Sequence, residues 1–166
     1  MKRAFFLVFI FLVIGCTSPI YIVTTDRSKI HSYTTKNFDN GGFFSPPTKD
    51  YYQNKTIYIP SNISNEPLID YLVKNIDSRN YSSIERRIKD KFPNDVYLPF
   101  ANGLLEMLKG FYDVAIKSFK MNRQDNIQFI IDLLTVDCEY EIALINSVDI
   151  NYNQFLEKYQ KILDHY

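Results

Sequence analysis

The sequence contains few cysteines, no tryptophan and no excess of either charge. Its 166 residues include two Cys and no Trp, and 19 Lys and Arg side chains balance 19 Asp and Glu side chains. Two cysteines cannot form the dense disulfide framework of a secreted mini-protein. Because nucleic-acid binding needs an excess of basic residues, a net charge of zero predicts no nucleic-acid partner. With five Gly and seven Pro, the composition is not that of collagen or of a wholly disordered chain.

Apolar side chains are present in the amount that a globular domain requires. Hydrophobic residues make up 46% of the chain, and thirteen Phe and thirteen Tyr raise the aromatic content to 16%. Such bulky side chains can fill a core. The length suits one ordinary domain rather than two.

The longest hydrophobic run is too short to cross a membrane. Lys2 and Arg3 precede eleven consecutive apolar residues, 4–14. A spanning helix needs about 20 such residues. A positive start followed by about 7–15 apolar residues is instead typical of a secretory signal peptide. We therefore expect this segment to direct export and to lie outside the fold.

The residues that end this run are Val13-Ile14-Gly15-Cys16. They resemble a bacterial lipobox, with an aliphatic residue at −3, a small residue at −1 and Cys at +1. The resemblance implies that residues 1–15 are removed as a lipoprotein signal peptide and that Cys16 is acylated, which would anchor the protein to a membrane. Thr17 in place of Asp implies the outer membrane wherever the organism has two. The alternatives are an uncleaved N-terminal anchor and an ordinary signal with a chance cysteine.

Residues 16–62 have the polar composition of a spacer but too many aromatic residues for a simple linker. Helical periodicity is absent, whereas residues 20–25 and 56–59 are β-prone. We expect a spacer that is flexible near Cys16 and partly docked later, with Tyr51–Ile59 on the helical body. The alternative is that Phe43-Phe44-Ser45-Pro46-Pro47 is an adhesive motif. The aromatic residues are Tyr21, Tyr33, Phe38, Phe43, Phe44, Tyr51, Tyr52 and Tyr58.

From residue 63 onwards, apolar residues recur at helical spacing. The first stripe comprises Leu68, Ile69, Leu72, Val73 and Ile76, with Ser64 or Asn65 as the expected cap and Pro67 in the first turn. Residues 63–166 therefore predict an all-α domain of short helices. The expected helices after the first are Ser82–Lys91, Asn94 or Asp95 to Lys109, Asp113–Met121, Ile127–Leu134, Tyr140–Ile145 and Asn153–Leu163.

One helix pair has the spacing of a known repeat. Gly110, Tyr112, Ala115 and Phe119, with Gly103 twelve residues before Ala115, resemble a tetratricopeptide repeat. The resemblance implies stacked helix hairpins, in which small residues let two helices approach closely. The sequence departs from the repeat at Pro99, Asn102 and Ile127. The neighbouring hairpins match it poorly, at spacings of 31 and 40 residues. The alternative is a helical bundle without repeat geometry.

Charge is unevenly distributed within the helical domain. Residues 63–166 contain 12 basic and 16 acidic residues, and residues 124–157 contain no Lys or Arg. An acidic surface of this kind would steer a basic protein segment. The alternative is that these acidic residues only form the solvent-exposed faces of helices. The candidate partner-binding residues are Asp125, Asp132, Asp137, Glu139 and Glu141.

Catalytic and metal-binding motifs are not found. Asp137, Glu139 and Glu141 alternate as in a calcium loop, but the Gly and the closing Glu of that loop are missing. His31 and His165 have no zinc-ligand spacing. Cys138 is expected to be a small buried apolar residue rather than a nucleophile. We therefore expect no catalytic residue, metal or cofactor.

The predicted function is that of a non-catalytic scaffold. A lipid-anchored helical protein of this kind would bind a protein or peptide partner in the cell envelope, as an interaction or assembly factor. Two alternatives stay open. One is an envelope glycan hydrolase whose carboxylate pair the sequence does not reveal. The other is a structural or host-facing surface lipoprotein.

Overall fold

The computed structural model describes residues 20–25, 55–146 and 151–166. This part of the chain is mostly helical, which confirms the predicted all-α class. It contains two short strands, β1 (Ile20–Thr25) and β2 (Lys55–Pro60). Its six α-helices are α1 (Pro67–Asn75), α2 (Tyr81–Lys91), α3 (Leu98–Lys109), α4 (Tyr112–Lys120), α5 (Gln128–Asn146) and α6 (Tyr152–His165).

The two strands form a parallel pair. Its register runs from Ile20 opposite Lys55 to Thr25 opposite Pro60. Ile57 and Ile59 of β2 are buried in the hydrophobic core that the helices share. The expectation that this segment docks on the helical body is therefore confirmed for Ile57–Ile59, whereas residues 51–54 lie outside the described part.

The starts of the first two helices follow different rules. α1 begins at Pro67 after Glu66, not after Ser64 or Asn65, and no side chain caps it. The Ser64 hydroxyl instead donates to the Ser61 carbonyl oxygen at 2.9 Å. At α2, the Asn80 side chain accepts a hydrogen bond from the Ser83 amide and so satisfies one of the free N–H groups of the first turn.

The third helix begins later than the sequence predicts. The Asp95 carboxylate accepts a hydrogen bond from the Tyr97 amide at 2.8 Å, and the Leu98 amide donates to the Asp95 carbonyl at 3.1 Å. These bonds form a turn of the type that Asp favours because its short side chain competes with helical bonding. α3 therefore starts at Leu98 rather than at residue 94 or 95.

A glycine ends α3 and turns the chain into α4. Gly110 has a φ of 84°. The Phe111 amide donates to the Glu106 carbonyl at 2.9 Å and the Gly110 amide to the Met107 carbonyl at 3.0 Å. This is the Schellman arrangement, in which glycine avoids the steric penalty of a Cβ atom. The predicted stop at Gly110 is confirmed.

The α3–α4 hairpin packs closely at Gly103. A Cβ atom at this position would lie 2.3 Å from Cε1 of the Phe119 ring, far inside van der Waals contact. The predicted close approach at this glycine is present. The nearest atoms, however, belong to the large Phe119 rather than to the small Ala115, although both residues are buried.

The fifth helix is a single helix of 19 residues rather than two pieces. The predicted interruption lies at residues 135–139, where polar residues alternate with apolar ones. The Thr135 hydroxyl donates to the Ile131 carbonyl within the helix at 2.8 Å, so it does not break the helix. Val136 and Cys138 within this stretch are both buried.

Packing follows chain order. Each helix contacts the next one along the chain, and α1 also contacts α3. Fully buried aromatic rings come from the central and last helices: Phe100, Phe119, Tyr140 and Tyr159. Within the described residues, no helix combines the length and the hydrophobicity that a membrane span requires.

Candidate functional site

Some of the residues that the sequence marks for function lie outside the described part of the chain. These are the lipobox with Cys16 and the Phe43–Pro47 motif. The structure does describe the five candidate partner-binding acids, which lie in the turn before α5 and along α5 itself.

The acidic side chains of α5 contact α6 and Tyr166, the residue that follows it. Asp132 accepts a hydrogen bond from the Tyr166 hydroxyl at 2.8 Å, besides one from Gln128 within α5 at 2.7 Å. Glu139 pairs with the Lys158 ammonium at 2.6 Å. These contacts bind the C-terminal helix to its neighbour.

Asp137 makes the most enclosed of these contacts. It accepts a hydrogen bond from the hydroxyl of Tyr159, a residue with no solvent exposure. Burial raises the pKa of the Asp137 carboxyl from 3.8 to about 7, and the neighbouring charge of Glu141 acts in the same direction. The bond from Tyr159 opposes this rise by stabilising the ionised form.

The predicted acidic surface is thus largely a seam between two helices. Asp132, Asp137 and Glu139 contact α6, Glu141 is half-buried, and Asp125 is exposed in the turn before α5. We call the three contacts Asp132–Tyr166, Asp137–Tyr159 and Glu139–Lys158 the α5–α6 seam. From the sequence, Tyr159 and Tyr166 can be predicted only to be buried. Nothing in their spacing indicates which acidic residues they contact.

A second feature was missed by the sequence interpretation. Val114 of α4 is 40% exposed, and Phe111 and Met121, which flank α4, are 54% and 66% exposed. Spacings of three and seven residues bring positions to one side of an α-helix, and Phe111 and Met121 are the residues that flank α4. We call Phe111, Val114 and Met121 the α4 apolar stripe. An exposed apolar surface of this kind is typical of an interaction site.

Basic side chains border this stripe. Lys117 and Lys120 are exposed on α4, and Arg123 is exposed just beyond it. Lys117 makes one exposed ion pair, with Asp113 at 4.0 Å, which contributes little to stability. At the other end, the Lys109 ammonium lies 5.9 Å from the centre of the Phe111 ring. The exposed residues towards the C-terminal end of α4 are therefore mainly basic.

Lys109 also joins two helices through carboxylates. Its ammonium bonds Glu85 of α2 at 2.8 Å and Glu106 of α3 at 2.6 Å. The hydrogen bonds from Lys109 and then Lys89 lower the pKa of the Glu85 carboxyl. Burial alone would lower the pKa of Lys109, but its bonds to Glu106 and Glu85 outweigh burial and the pKa is raised. These ion pairs hold the charged groups of Lys109, Glu85 and Glu106 at the contact between α2 and α3, where they contribute to packing.

The Cys138 thiol also contributes to packing. Cys138 is fully buried, as predicted, and burial raises the pKa of its thiol, so the reactive thiolate is disfavoured. In the part of the chain that the structure describes, no three His, Cys, Asp or Glu side chains converge as metal ligands would.

Comparison of the chain with protein-family models, with curated proteins and with solved structures found no match.

Proposed function

We propose that this protein is a bacterial lipoprotein whose helical body is a non-catalytic scaffold for a protein partner in the cell envelope. The order of positive residues, apolar run and lipobox supports anchoring through an acylated Cys16, with the outer membrane as the destination where there are two membranes. The observation on which the scaffold proposal depends is the exposed α4 apolar stripe.

We further propose that the helices form a short tetratricopeptide-like stack. Contacts between helices that follow each other in sequence support it, because stacked repeats contact mainly their neighbours. The close approach of α3 and α4 at Gly103 supports it also. A stack of this kind exposes helix faces along its length, which suits binding of an extended or helical segment.

The chemistry of the stripe indicates the kind of partner. Three apolar side chains can bury the apolar face of a partner segment, and Lys117, Lys120 and Arg123 beside them favour carboxylates at its flanks. This differs from the basic partner that the acidic residues of α5 suggest, because Asp132, Asp137 and Glu139 already contact α6. We therefore propose an apolar segment with acidic flanks.

The test compares two sets of exposed apolar residues. The full acylated protein is cross-linked in membranes, extracted with detergent and purified with whatever it holds. The variant combines Phe111→Ser, Val114→Ser and Met121→Ser. Val96→Ser is the matched control, because Val96 is 54% exposed like Phe111 but lies outside α4. We expect the α4 variant to lose at least one cross-linked protein that wild type and V96S both retain.

Two results would count against the proposal. If all three proteins retain the same cross-linked species, the stripe is not the binding surface. If Asp125→Asn alone removes the partner, the acidic turn before α5 binds it instead. Thermal unfolding of each variant confirms that the body is folded, so a lost partner reports on the surface.

A further inference from the structure

The strand pair shortens the distance along the chain between the anchor and the folded body. β1 begins at Ile20, four residues after Cys16. It pairs along its whole length with β2, whose Ile57 and Ile59 are buried in the core of the helical body. Only residues 17–19 therefore separate the lipidation site from a strand that is fastened to the body.

The reach of this connection is small. Four residue steps in a fully extended chain span about 14 Å. If residues 17–54 instead acted as one flexible chain, its end-to-end distance would be about 35 Å. The two arrangements thus place the body at clearly different heights above a bilayer.

We propose that the helical body lies directly on the lipid surface, with the end of the strand pair at Ile20 and Lys55 nearest the headgroups. Residues 26–54 are then an insertion between two paired strands and not a spacer. The partner of this end of the molecule is a phospholipid surface, and the basic Lys55 stands in register with Ile20 at that level. The inference rests on the proposed acylation of Cys16.

In this placement, the opposite end of the strand pair, at Thr25 and Pro60, lies farther from the lipid surface. A six-residue strand is about 17 Å long. Beyond Pro60, the Asn62 side chain donates to the Asn126 carbonyl at 3.2 Å, in the turn Asp125–Ile127 between α4 and α5. This turn, with the acidic Asp125, is therefore remote from the headgroups.

The experiment measures the height of the body by energy transfer. The full acylated chain is placed in phosphatidylcholine–phosphatidylglycerol vesicles with an acceptor dye on the headgroups. The donor is attached at Arg86→Cys, an exposed position on α2, while Cys138 is buried. One variant has twelve Gly/Ser residues inserted between Pro19 and Ile20. The matched control has the same insertion between Gly41 and Gly42.

We expect the first insertion to raise the donor by about 20 Å, the end-to-end distance of a twelve-residue flexible chain, and so to lower energy transfer. The insertion at Gly41 should leave energy transfer at the wild-type level. Equal losses from both insertions would overturn the inference, because residues 17–54 would then act as one spacer. Far-UV circular dichroism checks that both variants keep their helices.

The proposed anchor has a separate readout. Vesicle flotation and mass spectrometry of the N-terminus report acylation of Cys16 whatever the height of the body. A floating, acylated protein with equal responses to the two insertions contradicts only the close placement. A protein that neither floats nor has lipid on Cys16 contradicts the proposed anchor, and the close placement with it.

Discussion

Two helix pairs in this molecule are held together in opposite ways. The α3–α4 hairpin has a glycine stop at Gly110 and an apolar contact between Gly103 and Phe119. The α5–α6 pair is joined by the polar contacts of its seam, of which Asp137–Tyr159 is the most enclosed. The first pair depends on the fit between atoms, whereas the second also depends on protonation. We therefore expect the α5–α6 contact, and not the α3–α4 contact, to respond to pH.

The largest effect should come from breaking the apolar pair. Gly103→Ala would place a Cβ atom 2.3 Å from the Phe119 ring. Helix propensity favours Ala by about 1 kcal/mol, but the overpacking outweighs it. We expect a net loss of about 3 kcal/mol in the free energy of unfolding, measured by urea denaturation, that is equal at pH 5 and pH 8.

Gly110→Ala is the matched control for this substitution. No atom lies within 4 Å of the site of its Cβ, so only the φ of 84° opposes it. We expect a loss of about 1 kcal/mol. A larger loss at Gly110 than at Gly103 would mean that the turn, and not the fit at Phe119, holds the hairpin.

The next prediction uses the pH dependence of stability to distinguish the α5–α6 pair from the α3–α4 pair. Between pH 3.8 and about 7, the unfolded chain has released the Asp137 proton while the folded chain retains it. The contribution of Asp137 to stability therefore falls as pH rises through this window and levels off above it. The full shift would correspond to about 4 kcal/mol, and the partial solvent exposure of Asp137 reduces it. We therefore expect Asp137→Asn, which stays neutral, to be about 2 kcal/mol more stable relative to wild type at pH 8 than at pH 4.

Asp164→Asn is the control for this comparison, since Asp164 is an exposed acid of α6 outside the seam. The difference in free energy of unfolding between Asp164→Asn and wild type, measured by urea denaturation, should be nearly the same at pH 4 and pH 8. If Asp137→Asn behaves like Asp164→Asn, the enclosed bond to Tyr159 does not make the second pair pH-dependent.

A smaller effect is expected at the end of the seam. Tyr166→Phe removes the hydroxyl that donates to Asp132 but keeps the ring that packs edge-on against Phe129, with centroids 5.3 Å apart. We expect a loss of about 1 kcal/mol in unfolding free energy. Hydrogen exchange should show the loss of protection in α6, while α3 and α4 keep theirs. Equal loss in all helices would mean that the pairs open together.

The smallest effect tests the exposed edge of α4. Lys117→Ala removes an ion pair of 4.0 Å between two exposed side chains. We expect a change of less than about 0.5 kcal/mol in urea denaturation. The same variant should weaken cross-linking to the proposed partner if the basic border takes part in binding. An effect on stability alone would exclude that role.

Local sequence signals predicted the apolar pair better than the polar one. Gly110 was correctly predicted as a helix stop, and Gly103 as a point of close approach, because glycine has few other uses inside a helix pair. The all-α class followed from apolar periodicity, which is a local signal as well. α5 was wrongly divided, since the bond from Thr135 to Ile131 allows a polar residue to stay within the helix.

Long-range pairing could not be read in the same way. The acids of α5 were interpreted as a surface because their partners lie 19 to 34 residues away in sequence. The exposure of Val114 and Phe111 likewise depends on which face of α4 its neighbours cover. Pairing of β1 with β2 crosses an insertion of 29 residues, a distance over which strand-forming residues do not indicate a partner.

Burial of Cys138 has a practical consequence for measuring motion. Once Cys16 is acylated as proposed, Cys138 has the only thiol in the mature chain, and it lies on α5 next to Asp137. A thiol reagent can reach it only while the surrounding helices are open. The rate of its modification, divided by the rate for the unfolded chain at the same pH, therefore measures opening around α5, and this ratio can be compared at pH 5 and pH 8 without any mutation.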